Sequence, residues 1–183
     1  MDPKAILPTP DPVLSLSTAN PDLRKSVRVV DAEMAYIDIG NGDPIVFLHG
    51  NPTSSFLWRN VIPRVQGLGR IIVPDLIGHG WSSTSPRDAY HFQDNIDYFD
   101  AFFEALDLGG NTILVLHDWG AAIGFYGAAR HPEQIQGIAY MEAMVWPRHW
   151  TDMPPERVDM FKWLRTPEGE REALDKNIWG CPS

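Results

Sequence analysis

Leu114-Val115-Leu116-His117-Asp118-Trp119-Gly120-Ala121 is a strand that runs directly into a helix, and the fold follows from it. The aliphatic run before it, Thr112 to Leu116, is short, continuous and rich in β-formers, as a strand buried on both faces should be. The segment after it, Trp119 to Arg130, is apolar nearly all round. Gly120, Gly124 and Gly127 give it a surface that can approach a sheet closely. Working outward, three similar runs appear: Ile45 to Leu48, Arg70 to Val73, and Gln136 to Met141. Segments of helical period separate them. Phe56 to Ile62 predicts one helix, stopped or kinked at Pro63. In the next, Ile96, Phe99, Phe103 and Leu106 share a face, while Asp94, Asp97, Asp100 and Glu104 face water. Ahead of these lie Ser26 to Val30 and Met34 to Ile39, which read as a hairpin. Strands alternating with helices give an α/β fold, with a mostly parallel sheet and helices on both faces. Ligands in such sheets bind beyond the carboxyl ends of the strands. His49-Gly50-Asn51 and His117-Asp118-Trp119 both fall there.

The rest of the chain divides around that core. Residues 1–24 carry five prolines and predict an extended arm; residues 25–145 form the α/β core. From residue 146 to 183 the texture changes. Trp146, Trp150, Met153, Phe161 and Trp163 collect among Pro147, Pro154 and Pro155. Val158, Phe161 and Leu164 suit a helix with Pro155 in its first turn, and Thr166-Pro167 suits the start of another. This is the pattern of a small helical cap, entered but not finished.

Composition narrows the partners. The chain has 183 residues, 44% of them hydrophobic and 21% charged, with a net charge of −9. That field repels polyanions, so neither nucleic acid nor an anionic membrane is the expected partner. Cys181 is the single cysteine, so no internal disulfide forms. No signal-like apolar run opens the sequence, and none reaches bilayer length. A cytoplasmic protein is expected. The histidines lack ligand spacing, so no metal or other cofactor is expected.

Asp118 carries the chemistry. A sharp strand-to-helix turn lifts one side chain above the sheet, at the positive end of the helix. A carboxylate there is already ionised and needs no base to attack carbon. It would displace a leaving group and form an ester that water must then cleave. N-capping of the helix accounts for an aspartate at this place equally well. The local sequence leaves both open.

A wider set of motifs weighs between them. His49-Gly50-Asn51-Pro52-Thr53-Ser54-Ser55-Phe56-Leu57-Trp58-Arg59, Asp75-Leu76-Ile77-Gly78, His117-Asp118-Trp119-Gly120 and Tyr140-Met141-Glu142-Ala143 occur in this order. Together they resemble the haloalkane dehalogenases of the α/β-hydrolase fold, in the subfamily with an Asp-His-Glu triad. The resemblance runs from about Met34 to Asn177. It implies that Asp118 attacks the carbon bearing the halogen of a small halogenated alkane. It implies that the Trp119 indole and the Asn51 amide receive the departing halide ion, and that their backbone N–H groups form an oxyanion hole. It implies that Glu142 orients a catalytic histidine, which drives water onto the ester. His49 and His117 flank the working positions and read as structural. His79, His91 and His131 read as surface or loop residues, and Asp75 as a loop anchor.

The same resemblance implies a truncated chain. The family's base is a histidine after the last strand, and no histidine here matches it; the C-terminal strands are missing too. His149 in the cap is the weak alternative, since a base must reach the attacking water. An ester formed on Asp118 would then stall. The Glu142 strand would offer an exposed edge, open to a complementing chain or to aggregation. Epoxide hydrolases share the nucleophile, but their acidic cap tyrosines have no counterpart between Trp146 and Ser183. Coelenterazine luciferases are similar over the same motifs. A catalytically dead remnant is the non-enzyme reading.

Overall fold

The computed structural model describes residues 23–88, 90–146 and 149–176. The predicted arm therefore lies outside the described residues except at its end, and so do Cys181 and the tail after Lys176. Arg24 is not part of an arm. It opens the first strand.

The hairpin forms as expected, from β1 (Arg24–Val29) and β2 (Ala32–Ile39) in antiparallel register. Four more strands follow: β3 (Pro44–Leu48), β4 (Arg70–Pro74), β5 (Thr112–His117) and β6 (Ile135–Met141). The sheet order is β1-β2-β4-β3-β5-β6. β3 pairs in parallel with β4 and β5, and β5 with β6. The chain therefore starts its parallel part in the middle and winds outward, which places the ends of β3 and β5 side by side.

Strand period sorts the core into two layers. Val46, Leu48, Ile72, Leu114 and Leu116 face one side, packed with Ile96, Phe99 and Phe102 of α2 (Phe92–Ala105) and Ala121 and Ile123 of α3 (Trp119–Arg130). Ile45, Phe47, Ile71 and Val73 face the other, under Trp58 and Ile62. β3 and β4 are thus buried on both faces. β5 is not: Leu114 and Leu116 are buried while Ile113 and Val115 are half-buried. β6 is an edge among the described strands, with Tyr140 60% exposed, so a run read as buried proves largely open.

Pro63 also acts against expectation. Ser55–Asn60 winds as a 3₁₀ turn, and Pro63 then sits in the first turn of α1 (Ile62–Val65). Proline has no N–H to lose at a helix start, so it begins this helix instead of ending one.

The described residues fall into two compact units, the second starting at Trp146. Within it, α4 (Pro155–Trp163) starts on its proline, and α5 (Pro167–Asp175) is capped by Thr166, whose Oγ1 accepts from Gly169 N–H at 3.1 Å. Among the described residues no helix is long and apolar enough to cross a membrane.

Candidate active site

The carboxyl ends of β5 and β6 carry two carboxylates in matching places. His117 and Met141 are the last paired residues, and Asp118 and Glu142 follow them directly. Both have positive φ, +53° for Asp118 and +47° for Glu142. Non-glycine residues held so cost on the order of 1–3 kcal/mol each and persist where packing over-determines them. Asp118 occupies the N-cap position of α3, yet its side chain makes no capping bond. Instead its Oδ1 accepts from the backbone N–H of Asn51 at 2.9 Å. Oδ2 has no partner among the described residues. The capping account of this aspartate therefore fails, and the carboxylate is held by one oxygen with the other free.

Two close approaches make the turn possible. A Cβ at Gly50 would stand 2.3 Å from Asp118 Oδ1 and 2.4 Å from its Cβ. A Cβ at Gly120 would stand 2.4 Å from the His49 carbonyl oxygen and 2.6 Å from that of Leu48. Only glycine lets the start of α3 press against the end of β3. That contact brings Asn51 to Asp118. Asn51 precedes Pro52 through a cis peptide. The Trp119 ring lies 6.3 Å from that of Phe92, which in turn meets Tyr126 edge-on at 5.7 Å. Its indole N–H, the Asn51 side-chain N–H₂ and the Glu142 carboxylate have no partners among the described residues. Three of the expected groups (Asp118, Asn51 and Trp119) thus meet at one rim, with Glu142 on the neighbouring strand end.

This strand–turn–helix geometry has a sequence counterpart, for a model of the alpha/beta hydrolase fold matches residues 43–174. The chain belongs to the α/β-hydrolase fold family. Among curated relatives, the chain is 50% identical over 159 residues to a haloalkane dehalogenase of Sphingobium indicum, covering 85% of the chain and 54% of the relative. It is 52% identical over 149 residues to a haloalkane dehalogenase of Mycolicibacterium smegmatis, covering 80% and 48%. The crystal structure of the haloalkane dehalogenase DatA from Agrobacterium tumefaciens C58 superposes with a TM-score of 0.74 at 41% identity, covering 85% of this chain and 53% of that one. The chain spans about half the length of the relatives it matches.

The histidines near this rim are not alike. His49 is fully buried and belongs to the scaffold. Its Nε2 accepts from Leu76 N–H at 2.9 Å, so the proton sits on Nδ1 and is donated to the Gly50 carbonyl at 2.9 Å. Burial pushes its pKa down to about 4, against the pull of the Gly50 carbonyl. A second proton would also break the bond from Leu76. The unfolded chain binds that proton below about pH 6.5, so stability is whole above this pH and falls on acidification through pH 4. The expected loss is about 3 kcal/mol. Urea midpoints measured from pH 7 to 4.5 should fall in the parent and stay flatter in His49→Gln. Equal slopes would remove His49 as the cause.

His117 turns its ring to Trp58, 6.4 Å away and perpendicular, and its buried Nδ1 has no hydrogen-bond partner among the described residues. His79 lies in the loop after β4, as expected, and also reaches the rim. Its Nε2 lies 3.4 Å from Asn51 Oδ1, and its ring is 5.3 Å from that of His49. The sheet order held the signal for it: β4 neighbours β3, so the loops after them must touch. Among the described residues no cluster of His, Cys, Asp or Glu is grouped as a metal site.

Proposed function

We propose that this chain carries the nucleophile of a haloalkane dehalogenase, with Asp118 attacking carbon and a halide ion leaving. The observation behind this is the engagement of the Asp118 carboxylate: released from capping, fixed at Oδ1 by Asn51 N–H, free at Oδ2. Oδ2 attacks the carbon, the carbon–halogen bond breaks, and the halide takes the bonding pair. The indole N–H of Trp119 and the amide N–H of Asn51 are the donors for that charge. Preorganised donors of this kind are worth on the order of 3 kcal/mol each. Water then attacks the ester carbonyl, whose oxygen is the one Asn51 N–H already holds. Alcohol leaves and Asp118 is restored. Glu142 is the group that would orient the histidine accepting the proton of that water.

The substrates of this reading are small halogenated alkanes and water, and it calls for no cofactor. Residues 25–145 are the catalytic core and 146–183 the start of a cap. A cytoplasmic location fits a chain with one cysteine.

No histidine among the described residues bonds Glu142 or Asp118. The ester is therefore expected to outlast its formation. Incubation with 1-bromobutane should add a single butyl group, seen by intact mass and mapped to the Asp118 peptide, with bromide released in equal amount. A folded sample that gains no butyl group overturns the proposal. Trp119→Phe keeps a ring against Phe92 but removes the N–H. It should slow butylation by roughly 10².

A further inference from the structure

Asn51 is anchored through its backbone, not through its side chain. Its N–H is committed to Asp118, while its side-chain amide has one contact among the described residues, the His79 ring. An amide has two ends of almost equal shape, one accepting and one donating. Only the N–H₂ end suits an anion, so whatever grips the oxygen decides whether the halide finds a donor or a repelling lone pair.

His79 is built to grip it. Its backbone is tied into the loop after β4 on both sides: its N–H donates to the Leu76 carbonyl at 2.9 Å, and its carbonyl accepts from Ser82 N–H at 3.1 Å. Its ring is tilted across His49, which is itself locked between Gly50 and Leu76. Nε2 then faces Asn51 Oδ1 at 3.4 Å and Nδ1 faces the Ile77 carbonyl at 3.2 Å, two oxygen acceptors that only a ring carrying a proton on each nitrogen serves together.

We propose that His79 is a positioning residue for halide departure: with a proton on each ring nitrogen it donates Nδ1–H to the Ile77 carbonyl and Nε2–H to Asn51 Oδ1, and so leaves Nδ2 as the end of the amide that meets the leaving group. The inference rests on the reading of Asn51 as a halide donor. Its signature is selective. A donor that stabilises leaving-group charge matters most where the leaving group is poor, so loss of His79 should slow a chloroalkane more than an iodoalkane. A merely structural defect would slow both alike.

The test follows butylation of Asp118 by intact mass with 1-chlorobutane and 1-iodobutane, in the parent, His79→Gln and His79→Phe. Thermal unfolding confirms that each variant is folded. His79→Phe should slow the chloride by about tenfold, and the iodide by a few-fold at most. Gln offers an N–H to the same oxygen and should restore the chloride rate to within a few-fold of the parent. In ¹⁵N-labelled protein, the Asn51 side-chain amide resonances should move on adding bromide in the parent and in His79→Gln, but not in His79→Phe. An unchanged chloride-to-iodide ratio in His79→Phe, with bromide still moving those resonances, overturns the role of His79 alone. A parent that is butylated by neither alkane, and whose Asn51 amide ignores bromide, overturns the dehalogenase reading and this one with it.

Discussion

Asp118→Asn is expected to abolish butylation by 1-bromobutane, a loss of at least about 10³, while leaving the protein folded. The substitution is chosen for what it keeps. Asn51 N–H still finds an acceptor, because the amide retains a carbonyl oxygen where Asp118 has Oδ1. The backbone at this position has φ +53°, and asparagine is among the residues that tolerate positive φ best. What disappears is the anionic Oδ2, the atom proposed to attack. Glu142, on the next strand end, is the internal control. If the adduct arose from any exposed carboxylate, Glu142 would carry it as readily, and the substitution would change little. Peptide mapping decides the matter, since an adduct that persists in Asp118→Asn and maps to Glu142 would assign the nucleophile wrongly.

That assignment depended on more than the local sequence. The strand-to-helix passage at Leu114 to Ala121 was legible because it is written in side-chain type alone, and the structure turns where Asp118 stands. Whether the aspartate caps its helix or faces the rim was not legible. The answer lies in a bond to Asn51, 67 positions away, and no periodicity reports a contact of that range. Gly50 shows the same limit from the other side. In the sequence it is a turn residue, whereas in the fold its missing Cβ is the space that the Asp118 carboxylate occupies. The β6 run, Gln136 to Met141, reads like the strands that are buried on both faces, because apolar content records what a face is suited to cover. Among the described residues it is paired on one side only. His79 was passed over for a related reason: its neighbours are glycines and its segment is a loop, so nothing local marks it. Only the sheet order brings it to Asn51.

Asp75→Ala is expected to cost about 3–5 kcal/mol of stability, the largest single loss anticipated outside the apolar core. Asp75 is 1% exposed and holds two loops that meet at the rim carrying Asp118. Its Oδ1 accepts from Ser55 N–H at 2.6 Å, in the segment that follows Asn51. Its Oδ2 accepts from Trp81 N–H at 2.9 Å, in the segment that follows His79. Arg24 of β1 stands 3.5 Å from the same oxygen and lies over the Trp81 ring at 4.5 Å. Alanine would strand both N–H groups, at about 1–3 kcal/mol for each buried donor left unpaired, and would take this carboxylate from the guanidinium. For a chain of this size the melting temperature should fall by roughly 10 °C. Asn51 and His79 lose their common anchor in the same step. The residual protein should therefore butylate Asp118 more slowly, even at temperatures where it remains folded. Arg24→Ala separates the two contributions: it removes the charge partner but keeps both backbone bonds, and should cost well under half as much. An Asp75→Ala protein that melted within about 2 °C of the parent would mean that the loops are held by their own turns, with the carboxylate incidental.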